Sequence, residues 1–151
     1  MNKLYTLTFL FCFSFLYSQK KELRTAQKLF SQGVEIDQIS GIRSIKDSVK
    51  IAQSKETLKA NKDLIFNSND SKLITRYHFL VAQIARNEKE FSKAFNNLKL
   101  AEGNKTIKTI LKSEFDFLLY DTKTSAQELY NLGKYKEAAF NYNLAFEMSP
   151  D

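Results

Sequence analysis

The sequence predicts an all-α chain of stacked helical hairpins, and three observations predict it. Apolar residues recur at three- and four-residue steps in each long segment between Leu23 and Phe146. The four glycines stand singly, at 33, 41, 103 and 133, where those segments break. The one proline, Pro150, stands at the far end, where the lack of an amide hydrogen stops a helix.

In chain order, residues 1–18 read MNKLYTLTFLFCFSFLYS: one cation at Lys3, an apolar and hydroxyl run from Leu4 to Tyr17, then Ser18 before Gln19, Lys20 and Lys21. This is the pattern of a secretory signal peptide, and its 14-residue run is short of the roughly 20 residues that span a bilayer. Cleavage is expected after Ser18, leaving residues 19–151 as one domain and an exported protein of the periplasm or cell envelope. Cys12, the only cysteine, leaves with the signal, and with it disulfides, thiolate catalysis and cysteine-bound metals. Bulky Phe9, Leu10 and Phe11 ahead of Cys12 do not suit a lipid-accepting cysteine. The remaining 22 basic and 17 acidic residues give a net charge of +5, a mild excess that fits a solvated helical surface.

Leu23, Ala26, Leu29, Phe30 and Val34 predict a first amphipathic helix ended by Gly33 and the EIDQISG segment. A second is expected from about Arg43 to Phe66, with Ser44 as its cap and Ile45, Val49, Ala52, Leu58 and Ile65 as its apolar positions. Asn67 to Asp70 then break the chain. From Thr75, Phe79, Ala82 and Ala85 predict a third helix, a turn falls near Lys89, and Phe91, Ala94, Phe95, Leu98 and Ala101 predict a fourth. Gly103 and Asn104 turn the chain, and Ile107, Ile110, Leu111, Phe115 and Leu118 open a long fifth helix, with Thr122, Thr124 and Ser125 marking a kink. Gly133 ends it, and Tyr135, Ala138, Tyr142 and Ala145 form the sixth. The hairpins therefore cover about 20–66, 75–102 and 106–149.

The spacing Gly133, Tyr135, Ala138, Tyr142, Ala145, Pro150 resembles the second half of a tetratricopeptide repeat of the exported bacterial type. Phe91, Ala94, Leu98 and Ala101 align with Tyr135, Ala138, Tyr142 and Ala145, with Lys89 where the turn glycine belongs and Thr106 where the proline belongs. The offset of 44 residues exceeds the family period of about 34, which places an insertion at the start of the fifth helix. The resemblance covers Thr75 to Pro150 and implies a short α-solenoid, in which about three hairpins stack for stability. It leaves an apolar face on the last helix, around Ala139, Phe140 and Phe146, for a partner or for further repeats to cover.

Catalysis fits the residues poorly. His78, the only histidine, sits at a packing position, and there is no His-x-x-x-His pair or glycine-rich phosphate loop. Glu114, Asp116 and Asp121 read as solvated carboxylates on a helix surface. No enzyme activity, cofactor or metal is expected.

What the resemblance implies is binding. In this family the first helix of each hairpin lines a concave groove, which carries over to Arg76, Phe79, Gln83, Arg86 and Asn87 in one repeat and to Tyr120, Lys123, Gln127, Tyr130 and Asn131 in the next. The amides suit an extended peptide backbone, the cations suit an acidic side chain or free carboxylate, and the rings offer flat apolar surface. Lys99, Lys105, Lys108 and Lys112 form a basic strip without interleaved aromatics, so nucleic acid is not expected, and anionic envelope lipid or polysaccharide is a secondary expectation. The expected role is a protein-interaction scaffold or adaptor. The alternative is an N-terminal spacer of a longer envelope repeat protein whose activity lies elsewhere.

Overall fold

The computed structural model describes residues 19–37, 43–103 and 107–149, so the signal-like segment, Cys12, Lys105 and Pro150 lie outside the described residues. The described chain is all-α apart from one small hairpin of strands. It runs α1 (residues 19–33), β1 (Val34–Ile36), β2 (Arg43–Ile45), α2 (Ser48–Asn67), α3 (Ser71–Asn87), α4 (Phe91–Ala101), α5 (Lys108–Asn131) and α6 (Tyr135–Met148). Two compact units divide it, Met1–Tyr77 and His78–Asp151, and the boundary falls within α3. Among the described residues no helix is long and apolar enough to cross a membrane.

In the first unit, Arg43–Ile45 is a strand and does not open α2 as expected. It pairs antiparallel with Val34–Ile36 in the register Val34 to Ile45, Glu35 to Ser44 and Ile36 to Arg43. Branched Val34, Ile36 and Ile45 favour that extended backbone. The cap of α2 is Asp47, not Ser44: its Oδ1 accepts from the amides of Val49 at 3.0 Å and Lys50 at 3.1 Å. The buried stripe of α2 is also rotated from the expected one, since Ile51, Ser54, Leu58 and Ile65 are buried while Ile45, Val49 and Ala52 are exposed. Ser54 is admitted because its hydroxyl donates to the Ala26 carbonyl of α1 at 2.8 Å, which leaves no unpaired polar group. Leu23, Ala26 and Phe30 complete that core from α1.

In the second unit, α5 packs against both α4 and α6. The core gathers Ala82 and Ala85 of α3, Phe91, Ala94, Phe95, Leu98 and Ala101 of α4, Leu111 and Leu118 of α5, and Leu144 of α6. Phe95 and Phe115 meet edge to face at 6.1 Å. Helix α5 is continuous through Thr122, Thr124 and Ser125. Buried Thr122 turns its hydroxyl back on its own helix and donates to the Leu118 carbonyl at 2.7 Å, a bond that accompanies bending in helices.

The two turns of this unit share one geometry. Gly133 has φ of 75°, with its amide bonded to the Tyr130 carbonyl and the Lys134 amide bonded to the Leu129 carbonyl. Lys89 has φ of 59°, with the same pair of bonds from Lys89 to Arg86 and from Glu90 to Ala85. Both are Schellman closures, one built on glycine and one on lysine.

Candidate functional site

The residues assigned to a groove separate into several environments. Arg76 is exposed and belongs to the first unit, where it lines a pocket with Lys20, Arg24 and Lys72. Phe79 is half-buried against the core of the second unit. Gln83 and Arg86 are drawn inward by two acids of α5. The Arg86 guanidinium donates through Nη1 to Glu114 Oε1 at 3.0 Å and through Nε to Asp121 Oδ2 at 2.6 Å. Gln83 donates to the other Glu114 oxygen at 3.2 Å, and the Phe117 ring lies 5.1 Å from the Arg86 guanidinium carbon.

Arg86 is therefore not offered to a partner as the groove assignment requires, and Glu114 is not a solvated carboxylate: both side chains are about 5% exposed. Asn87 is half-buried, with its amide nitrogen enclosed and unpaired. This polar cluster joins α3 to α5. The signal for it was in the sequence, since Glu114 and Asp121 are seven residues apart on the same side of α5 as Leu111 and Leu118, where a carboxylate needs a buried partner.

His78 is likewise tied within the unit. Asn97 donates its amide to the Lys93 carbonyl at 2.9 Å, which fixes its oxygen as the acceptor facing His78 Nδ1 at 2.9 Å. His78 thus holds α3 to α4.

Tyr120, Lys123, Gln127, Tyr130 and Asn131 are all exposed on α5. Helix α6 adds an exposed stripe beside them: Tyr135, Ala139, Tyr142 and Phe146, spaced by four, three and four residues, fall on one side of that helix. Two contacts join the helices into one surface. The Tyr142 hydroxyl donates to Gln127 Oε1 at 2.9 Å, and the rings of Tyr130 and Tyr135 meet edge to face at 5.3 Å. Gln127 also donates to Asn131 Oδ1 at 2.9 Å, so its amide is already oriented.

Comparison of the two aligned helices shows what is unusual about this face. Phe91, Ala94, Leu98 and Ala101 are all buried in α4, where α5 packs against it. At the matching places in α6, Ala138 and Ala145 are buried, but Tyr135 is 63% and Tyr142 40% exposed. Phe146 at 65% and Phe140 at 60% add to the uncovered aromatic surface, as the sequence predicts for this helix. Single exposed apolar residues are ordinary, whereas rings repeated at helical spacing make one continuous exposed apolar stripe.

Compared with protein-family models, with curated proteins and with solved structures, the chain matches none.

Proposed function

We propose that this protein is a protein-interaction module of the cell envelope and that it recognises its partner through the outer face of the α5–α6 hairpin. The observation that supports this most is the exposure of Tyr135 and Tyr142 at places whose counterparts in α4 are buried. A tyrosine offers broad contact area with few rotatable bonds, and its hydroxyl tolerates water when the partner is absent. Gln127, Asn131 and Lys123 edge the rings with donors, acceptors and one cation, suited to a backbone or an acidic side chain of the bound segment. The site shifts from the groove of the family resemblance to the face beside it, because Gln83 and Arg86 are consumed by Glu114 and Asp121. No covalent step belongs to this role.

The same comparison of α4 with α6 favours a second reading, in which further helices of a longer chain cover the stripe as α5 covers α4. An open reading frame running on from Asp151 would favour that spacer role.

The proposal is tested by affinity recovery from the native envelope with the Tyr135→Ser/Phe146→Ser variant beside the unaltered protein. Both residues are exposed, so helicity is expected to be retained. Loss of a specific co-purifying protein in the variant is the expected result. Equal recovery by both proteins would rule the face out.

A further inference from the structure

The first unit contains a pocket of about 180 Å³ in which cationic side chains from two helices converge. Lys20 and Arg24 stand one turn apart on α1, and Lys72 and Arg76 stand one turn apart on the opening of α3. Buried Leu23 and Leu73 lie between them and hold the two stripes in place. The lining has one acid, Asp70, against these four cations.

That acid is already committed. Asp70 Oδ1 caps α3, accepting from the amides of Lys72 at 3.0 Å and Leu73 at 3.2 Å, and its other oxygen is 3.9 Å from the Lys20 ammonium. Arg24, Lys72 and Arg76 form no ion pair among the described residues. Three uncompensated cations on one concave surface repel one another, and an anion in the pocket relieves that repulsion.

We propose that this pocket binds a phosphate monoester group. The charge decides between oxyanions. A carboxylate brings a single negative charge, whereas a phosphate monoester brings roughly −1.5 to −2 at neutral pH together with three acceptor oxygens. Arg24 and Arg76 supply planar forks that pair with two of those oxygens, and Lys72 supplies a point charge from the α3 side. Asp70 orients the first turn of α3, so the spacing of Lys72 and Arg76 is set before the ligand arrives. The site belongs wholly to the first unit and is independent of the α5–α6 face.

The test titrates the purified protein with inorganic phosphate at constant ionic strength in chloride, following thermal stability and amide chemical shifts. Saturable stabilisation is expected, with shifts confined to residues of α1 and the start of α3. Arg24→Gln/Arg76→Gln, which alters two exposed side chains, is expected to weaken binding at least ~10-fold, while Lys108→Gln/Lys112→Gln on α5 leaves it unchanged. In a parallel arm, flotation with phosphatidylcholine vesicles with and without phosphatidic acid identifies the source of the phosphate. Binding only to phosphatidic acid, lost in the double arginine variant, supports the pocket with a lipid headgroup as its ligand. Equal responses of the unaltered protein and the arginine variant in both arms, or no response beyond that to chloride and neutral vesicles, overturns the proposal.

Discussion

Arg86 Nη1 lies 3.0 Å from Glu114 Oε1 with both side chains almost wholly withdrawn from water, so α3 and α5 are joined by a charge pair inside the second unit. The 2.6 Å contact of Nε with Asp121 and the bond from Gln83 leave both ions well satisfied. Removing Arg86 strands the buried Glu114 carboxylate at low dielectric, which costs more than the pair itself contributes, whereas removing Glu114 leaves Arg86 paired with Asp121. Arg86→Met is expected to destabilise by about 3–5 kcal/mol, and Arg86→Met/Glu114→Leu to recover most of that loss. Urea denaturation of the three proteins checks both statements.

The lysine-built turn leaves stability unused. A side chain in the left-handed conformation costs about 1–2 kcal/mol, and glycine there gives back roughly 0.4–1 kcal/mol through its freer unfolded chain. The exposed Lys89–Glu128 pair at 4.0 Å adds little on either side. Lys89→Gly is therefore expected to stabilise by roughly 0.5–1 kcal/mol, and Gly133→Ala, at φ of 75°, to destabilise by about 1 kcal/mol or more. Thermal melts of the two variants should move in opposite directions.

Gly33 is required for closeness of packing. A Cβ placed there would lie 2.6 Å from Ile51 Cγ1 and 2.9 Å from the Asp47 carbonyl oxygen, and that backbone oxygen has little room to yield. The Gly33 carbonyl also accepts from the amides of Lys46 and Asp47, which ties the strand hairpin to α2. Gly33→Ala is expected to cost about 1–3 kcal/mol, whereas Gly103→Ala, with nothing within 4 Å, should stay within about 0.5 kcal/mol of the parent. Chemical denaturation of the pair separates the two cases.

Tyr77 gives the first unit an alkaline limit. Burial pushes its phenol above the ordinary value of 10.0, and the negative charge of Asp63 pushes it further the same way. The folded state holds the neutral form, so this contribution is full below about pH 10 and is lost as pH rises through the raised folded value. Tyr77→Phe keeps the ring that packs edge to face on Phe66 at 5.3 Å and removes the titration. Denaturation midpoints measured from pH 9 to 11.5 should fall less steeply in Tyr77→Phe than in the parent.

Sequence periodicity located the helices of the second unit because Phe91, Ala94, Leu98 and Ala101 repeat at the spacing that one buried face demands. The turn forms near Lys89, where the sequence predicts it, although lysine suits the left-handed geometry poorly, because the backbone bonds of the closure do not depend on the side chain. In the first unit the same rule failed at Ser54, whose burial depends on a carbonyl 28 residues away. Arg43–Ile45 became a strand because Val34–Ile36 was there to pair with it, again a partner distant in sequence. The site followed the same division. The exposed rings of α6 are legible from spacing, and so is the need of Glu114 and Asp121 for a buried partner, but that the partner is Arg86 is not, because it depends on where α5 packs against α3.

The most direct test of the proposed recognition face is site-specific photo-crosslinking in the native host cells, with a benzophenone side chain at position 142 and, separately, at exposed position 93 on α4. One discrete protein adduct is expected from position 142 and is expected to be absent from position 93. No adduct from position 142, or the same adducts from both positions, would rule this face out.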